Sequence, residues 1–284
     1  MKLILQGPSC TQALAQACAA LFPGSTLQNF AQFPYQTWRI TDCAAPGDAQ
    51  RQQLQALCEG VCDYALLPQS MNWDSFGLLV MDMDSTLITI ECIDEIADLQ
   101  GLKAQVSEIT EAAMRGELDF DASLKRRVAL LQGLPQAALQ QVYEERLRFS
   151  PGAENMLAAM RAHGVKTLLV SGGFTFFTER VKAQMQLDYA HANQLGVADG
   201  KLSGQVEGEI LNAAKKRDFL QHYCAQLGIT AQHAIAMGDG ANDLLMMGAA
   251  GLSVAYHAKP RVKQQAMCGF DHVGMDGMLA LLAY

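Results

Sequence analysis

Two carboxylates stand two residues apart in Asp82-Met83-Asp84-Ser85-Thr86, directly after the apolar run Gly77-Leu78-Leu79-Val80-Met81. The run reads as a buried parallel strand. Like charges at a strand end repel each other, and desolvation penalises both. A divalent cation relieves that cost. Such a pair also lets one acid attack as a nucleophile while the other moves a proton. A lone D-x-D is equally a strand running into an acidic turn, and three later motifs weigh against that.

Ser171-Gly172-Gly173 follows the strand-like Val165–Val170, where a hydroxyl and two glycines let backbone N–H groups approach an anion. Lys215-Lys216 opens a helical stretch through Phe219-Leu220, and a lysine beside several acids stays charged and binds phosphoryl oxygens. Gly238-Asp239-Gly240-Ala241-Asn242-Asp243 follows the strand-like Ala234–Met237. Asp239 and Asp243 share a face if a helix begins at Gly240. Acids at a strand end suit Mg²⁺, which takes a few carboxylates and keeps several waters. Taken singly, the glycines fit a turn and the lysines a solvated pair.

DMDST, SGG, a lysine and GDGAND in this order resemble the four motifs of the haloacid dehalogenase-like phosphotransferases, and among them the phosphoserine phosphatase family. The resemblance covers roughly residues 74–284 and extends to Thr89–Ala97, Ser123–Val128, Val206–Ile210 and His257–Pro260. It implies Mg²⁺-dependent hydrolysis of L-phosphoserine to serine and phosphate, the final step of serine biosynthesis. Asp82 would be the nucleophile that forms a phosphoaspartyl intermediate, and Asp84 the acid and then the base. One Mg²⁺ would be held by Asp82, the Asp84 carbonyl and Asp239, with Asp243 supporting them. Ser171, the Gly172 amide and Lys216 would hold the phosphoryl group, and Asn242 would line the pocket. Lys216 is preferred to Lys215 by its spacing from Gly208. Glu91 would meet the substrate ammonium and Arg127 its carboxylate, for which a planar guanidinium fork is suited. Phe120 and Met114 are expected as an apolar wall. Phosphothreonine, phosphohomoserine, another small phosphomonoester or an acceptor alcohol remain alternatives for the same chemistry. A non-catalytic receiver phosphorylated on Asp82 and an inactive amino-acid-binding regulator are the readings from other classes.

The elements that must position these residues are α/β: a Rossmann-like parallel sheet with right-handed crossovers. Strands are expected at Gly77–Met81, Val165–Val170, Ala234–Met237 and Leu252–Ala255, and a β-turn at Asp199-Gly200. Between Ile90 and about Phe149 only helical patterning appears, which predicts an inserted helical cap at about residues 90–149. A cap there sits over the carboxyl end of the sheet and excludes water from the site. If Asp84 continued a regular strand it would point the same way as Asp82.

Residues 1–72 read as an N-terminal ferredoxin-like α+β accessory domain in β-α-β-β-α-β order, and residues 73–284 as the catalytic domain. Residues 1–73 hold three Lys+Arg, four Asp+Glu and eleven Gln. That sparse charge suggests a homodimer interface, because interface cores are depleted in charge. The whole chain of 284 residues is 50% apolar and 18% charged with net charge −8, which argues against nucleic-acid binding. No apolar run approaches a membrane span, and the N-terminus lacks the apolar region of a secretion signal, so a cytoplasmic protein is expected. Eight cysteines include no C-x-x-C pair. They read as buried reduced thiols, with Cys58 and Cys62 on one helix.

Overall fold

Alternation along the first strands builds a sheet with two buried faces. The structure, a computed structural model, describes residues 1–114 and 117–284, except the side chain of Met114. Its first part runs β1 (Lys2–Gly7), α1 (Gln12–Ala20), β2 (Thr26–Asn29), β3 (Gln36–Thr41), α2 (Asp48–Cys58) and β4 (Asp63–Leu67). The strands pair antiparallel in the order β2-β3-β1-β4. Leu3, Leu5 and Ile40 pack with Ala15, Cys18, Leu54 and Cys58 of the helices. Ile4, Ala65 and Leu67 point the other way, into the core of the second part. Thr11 caps α1, its hydroxyl accepting the Leu14 N–H at 3.2 Å. Helix α2 stops at Cys58, so Cys62 lies beyond it in the turn before β4, and the shared helical face expected for the two is not formed. All eight thiols are buried and free.

The second part runs β5 (Leu78–Met81), α3 (Cys92–Asp98), α4 (Lys103–Met114), α5 (Phe120–Ala129), α6 (Ala137–Glu145), α7 (Ala153–Ala162), β6 (Lys166–Phe174), α8 (Thr175–Met185), β7 (Tyr189–Ala198), β8 (Lys201–Glu207), α9 (Ala213–Gln226), β9 (Ala234–Gly238), α10 (Leu244–Ala249), β10 (Leu252–Tyr256), α11 (Pro260–Gln265), β11 (Cys268–Phe270) and α12 (Met278–Leu282). Its sheet order is β11-β10-β9-β5-β6-β7-β8, parallel except for β8 against β7. This is the α/β fold expected, with β5 at the centre and all four of its residues buried. Helices α3 to α6 form the insertion. Its two connections to the sheet part are tied at the neck, where Ile88 bridges Phe149 and the Thr89 N–H donates to the Arg148 carbonyl at 2.9 Å.

β6 is longer than expected, and β7, β8 and β11 are strands of the sheet beyond the four expected. β6 does not end at Val170 but runs through Ser171-Gly172-Gly173 to Phe174, its pairing with β7 shifting register between Val170 and Phe174. Asp199-Gly200 joins two full strands, β7 and β8, whose hairpin extends the sheet edge. Among the described residues no helix is long and apolar enough to cross a membrane.

Candidate active site

Asp82 follows β5, and its N–H still donates to the Met237 carbonyl of β9 at 3.1 Å. That bond fixes the residue beside the Gly238–Asp243 loop. One Asp82 carboxylate oxygen accepts the Met83 N–H at 2.7 Å; the other meets Lys216 Nζ at 2.6 Å and lies 3.5 Å from Asn242 Nδ2. Beyond Asp82 the chain leaves the strand in a wide turn, closed by the Ile88 N–H to the Met83 carbonyl at 3.0 Å. Asp84 therefore reaches the site from a turn, not from the period of a strand. Ser85 sits in the turn at φ +55°, a left-handed conformation that costs a non-glycine residue free energy. Two bonds hold it there: its N–H to the Ile90 carbonyl at 3.1 Å and its hydroxyl to Glu91 at 2.7 Å.

Lys216 lies on the first turns of α9, which Asn212 caps by accepting the Lys215 N–H at 3.3 Å. The pair divides in two directions: Lys215 meets Glu209 at 2.9 Å on the outside, and Lys216 turns inward with 0% exposure. Its Nζ bridges Asp82 and Asp243, at 2.6 and 2.8 Å. The second Asp243 oxygen accepts the Gly240 N–H at 3.0 Å, so both oxygens of Asp243 are engaged. Asp82, Asp239 and Asp243 each bring a carboxylate oxygen to within 4.8 Å of the others. One lysine cannot neutralise three carboxylates, and all the donors are oxygen, which fits a hard divalent cation.

Electrostatics follow from this crowding. Burial raises the Asp82 carboxyl well above its ordinary value, Asp243 adds to the rise, and Lys216 opposes it. Burial also works against the Lys216 charge, but the two carboxylates outweigh it and raise its value. Asp239 is pushed up to about 6 by burial, then by Asp243 and Glu91. Asp84 keeps part of its surface open, yet desolvation and the Glu91 charge push it up to about 7, against the Cys92 N–H bond at 3.1 Å.

Ser171 is fully buried, and its hydroxyl accepts the Gly173 N–H at 2.9 Å. A Cβ on Gly173 would stand 2.6 Å from an Asp84 oxygen, and one on Gly172 would stand 2.9 Å from the Phe120 ring. Glycine is therefore what lets β6 come against both Asp84 and the cap. Arg127, on α5, has burial pulling its guanidinium down while Asp94, Glu91 and Asp84 oppose that, and its Nε has no partner. Glu91 stands at the N-cap position of α3 without a side-chain capping bond and is exposed. Phe120 of the cap thus abuts Gly172; the side chain of Met114 lies outside the described residues. A cavity of about 340 Å³ lies between α6 and the β7–β8 hairpin, and no candidate residue lines it.

Two neighbours were not singled out by sequence. Thr86 donates to Asp239 at 3.2 Å, while its carbonyl accepts the Ser150 hydroxyl at 2.5 Å. Asn193, buried in β7, donates to the Gly172 carbonyl at 2.8 Å and accepts the Leu211 N–H at 2.7 Å. Thr86 lay inside the quoted motif without a role. Asn193 has no local signal, since its partners meet it only through the sheet.

An α/β sheet with helices α3 to α6 inserted after its central strand, an acid pair at that strand's end and a lysine bridging two buried carboxylates define a class of phosphate-handling hydrolase. The model of the haloacid dehalogenase-like hydrolases matches residues 79–248, and the chain belongs to that family. It is 54% identical over 212 residues to the phosphoserine phosphatase of Polaromonas sp. strain JS666, covering 73% of this chain and 90% of that protein. Among solved structures, a HAD family hydrolase from Salmonella enterica serovar Typhi superposes with TM-score 0.89 at 34% identity, covering 99% of both chains. A probable phosphoserine phosphatase from Vibrio cholerae superposes with TM-score 0.80 at 37% identity, covering 99% of this chain and 86% of that one.

Proposed function

We propose that this chain is a phosphoserine phosphatase, hydrolysing L-phosphoserine to serine and phosphate. The observation that carries the mechanism is the Lys216 ammonium held between Asp82 and Asp243 at the end of β5. An Asp82 oxygen attacks phosphorus, the bond from phosphorus to the serine oxygen breaks, and Asp84 gives that oxygen its proton. Water then loses a proton to Asp84 and attacks the phosphoaspartate, releasing phosphate and the Asp82 carboxylate. A carboxyl near 7 serves both directions of proton transfer. Asp82, the Asp84 carbonyl and Asp239 would hold one Mg²⁺, and Asp243, already engaged by Lys216 and the Gly240 N–H, would steady them. The ion supplies positive charge for the phosphoryl oxygens when bound. Lys216, Ser171 and the Gly172 amide hold the phosphoryl oxygens, with Asn242 beside them.

Glu91 takes the substrate ammonium and Arg127 its carboxylate; the unpartnered Arg127 Nε supports the second role. Residues 1–72 form an accessory domain and residues 73–284 the catalytic domain, with the cap at about 90–149. A homodimer through the accessory domain would use α1, α2 or the β2 edge, because the other face of its sheet is covered by the second part. We place the protein in the cytoplasm. Phosphate release from L-phosphoserine, with and without Mg²⁺ and beside phosphothreonine and an aryl phosphate, tests the reading. Metal-dependent turnover preferring phosphoserine supports it; turnover of the aryl phosphate alone would overturn the substrate.

A further inference from the structure

Two cations, Lys2 and Arg39, lie buried together where the first sheet meets Ala283 and Tyr284. Lys2 is 3% exposed and Arg39 is 7% exposed. Arg39 pairs across from Ile4, and Lys2 lies two residues from Ile4 on the same face of β1. Among the described residues neither has an Asp or Glu oxygen within 4 Å. Lys2 Nζ donates to the Met71 carbonyl at 2.5 Å. Arg39 donates to the main-chain oxygens of Ala283 and Tyr284, both at 2.6 Å, and stacks on Phe30 at 4.1 Å. Its Nε has no partner. Asp74 accepts the Tyr284 hydroxyl at 3.0 Å.

Burying neighbouring like charges without a counter-ion is unfavourable. The Lys2 ammonium accordingly falls to about 8 through burial and the Arg39 charge. Beside the two cations lies a hollow of about 210 Å³. Thr41, Gln69 and Asn72 also line it, and no Asp or Glu does. At about 30 Å³ per water it has room for a phosphate-sized group with a few waters. An ammonium carries three donors, and one main-chain carbonyl uses one of them.

We infer that this hollow is a binding site for a small oxyanion, a phosphate or carboxylate group, held by Lys2 and Arg39 and met by Thr41, Gln69 and Asn72. The anion supplies the missing negative charge. It also fastens β1 and β3 to the Gln69–Asn72 connection and to the last residues of the chain.

Selenate, a tetrahedral oxyanion located by its anomalous signal, tests this on crystals of the full chain. The expected result is a selenium peak between Lys2 and Arg39, separate from any peak beside Lys216. Displacement of that peak by phosphate or by acetate assigns the phosphate or the carboxylate source. Lys2→Met should raise the selenate concentration for half-occupancy at least about tenfold, the worth of one hydrogen bond to a charged group, and leave a peak beside Lys216 unchanged. Selenium found only beside Lys216 at saturating selenate would overturn the inference, and the wild-type crystal gives that answer without any variant.

Discussion

Lys216→Met removes the cation that, among the described residues, is ion-paired to the buried carboxylate cluster. The wild-type Nζ stands 2.6 Å from Asp82 and 2.8 Å from Asp243, and the lysine side chain is 1% exposed. A methionine fills much of the same volume, so packing loss is small and charge dominates. Breaking a buried pair by removing one partner costs about 3–5 kcal/mol. In chelator at pH 7.5, urea unfolding should therefore show a stability lower than wild type by that amount. Lowering the pH to 5 should recover part of it, because Asp82, whose carboxyl burial already raises, then takes up a proton. Mg²⁺ should stabilise the variant more than it stabilises wild type, because the variant cluster carries one more uncompensated charge and stabilisation follows affinity. A loss below about 1 kcal/mol, unchanged between pH 7.5 and 5, would refute the reasoning that Lys216 carries the charge balance.

Metal-free wild type should itself gain stability as pH falls from 8 to 5.5. Asp84 and Asp239 have folded values of about 7 and about 6, above the ordinary 3.8, so the folded state binds more protons in that window and loses the advantage as pH rises through it. Denaturation in chelator across this range checks the sign, and a flat or rising profile with pH contradicts it. Arg127→Ala should raise KM for phosphoserine by about 10- to 150-fold, as expected for losing a hydrogen-bonded charge, while turnover of an aryl phosphate changes little; equal loss on both substrates removes the assigned role. Gly172→Ala should drive a methyl group against Phe120, whose ring would lie 2.9 Å from the new carbon. About 1–3 kcal/mol of overpacking would lower kcat/KM by roughly 5- to 150-fold, and adding Phe120→Ala should recover most of it; no recovery in the double variant would mean the cap is not what the methyl group meets.

The acid motifs were legible because each follows its own strand in sequence, Asp82-Met83-Asp84 after β5 and Asp239 to Asp243 after β9. The run Leu78–Met81 is apolar throughout because it is buried on both faces at the centre of the sheet, and the motif begins at the next residue. The helical run α3 to α6 was legible as an absence of strand pattern. β7 was not, since Tyr189, Ala190, His191 and Ala192 are all half-buried and show no alternation of apolar and polar. The roles of Asn193 and Thr86 depend on partners 21 and 153 residues distant, which no local spacing encodes. The first 73 residues are sparse in charge, and part of their surface is covered within the chain, where Asp63 accepts the N–H groups of Asp271, His272 and Val273 at 2.9, 2.8 and 3.0 Å. Composition registers that a surface is covered, and only the fold tells by what.

The most direct test of the account is to catch Asp82 carrying phosphate. The protein is mixed with L-phosphoserine and Mg²⁺, quenched in acid, reduced with borohydride and mapped by peptide mass spectrometry. The account predicts homoserine in place of Asp82 and unmodified carboxylates at Asp84, Asp239 and Asp243. Full turnover of phosphoserine with Asp82 never reduced, or with the label on another carboxylate, would contradict it.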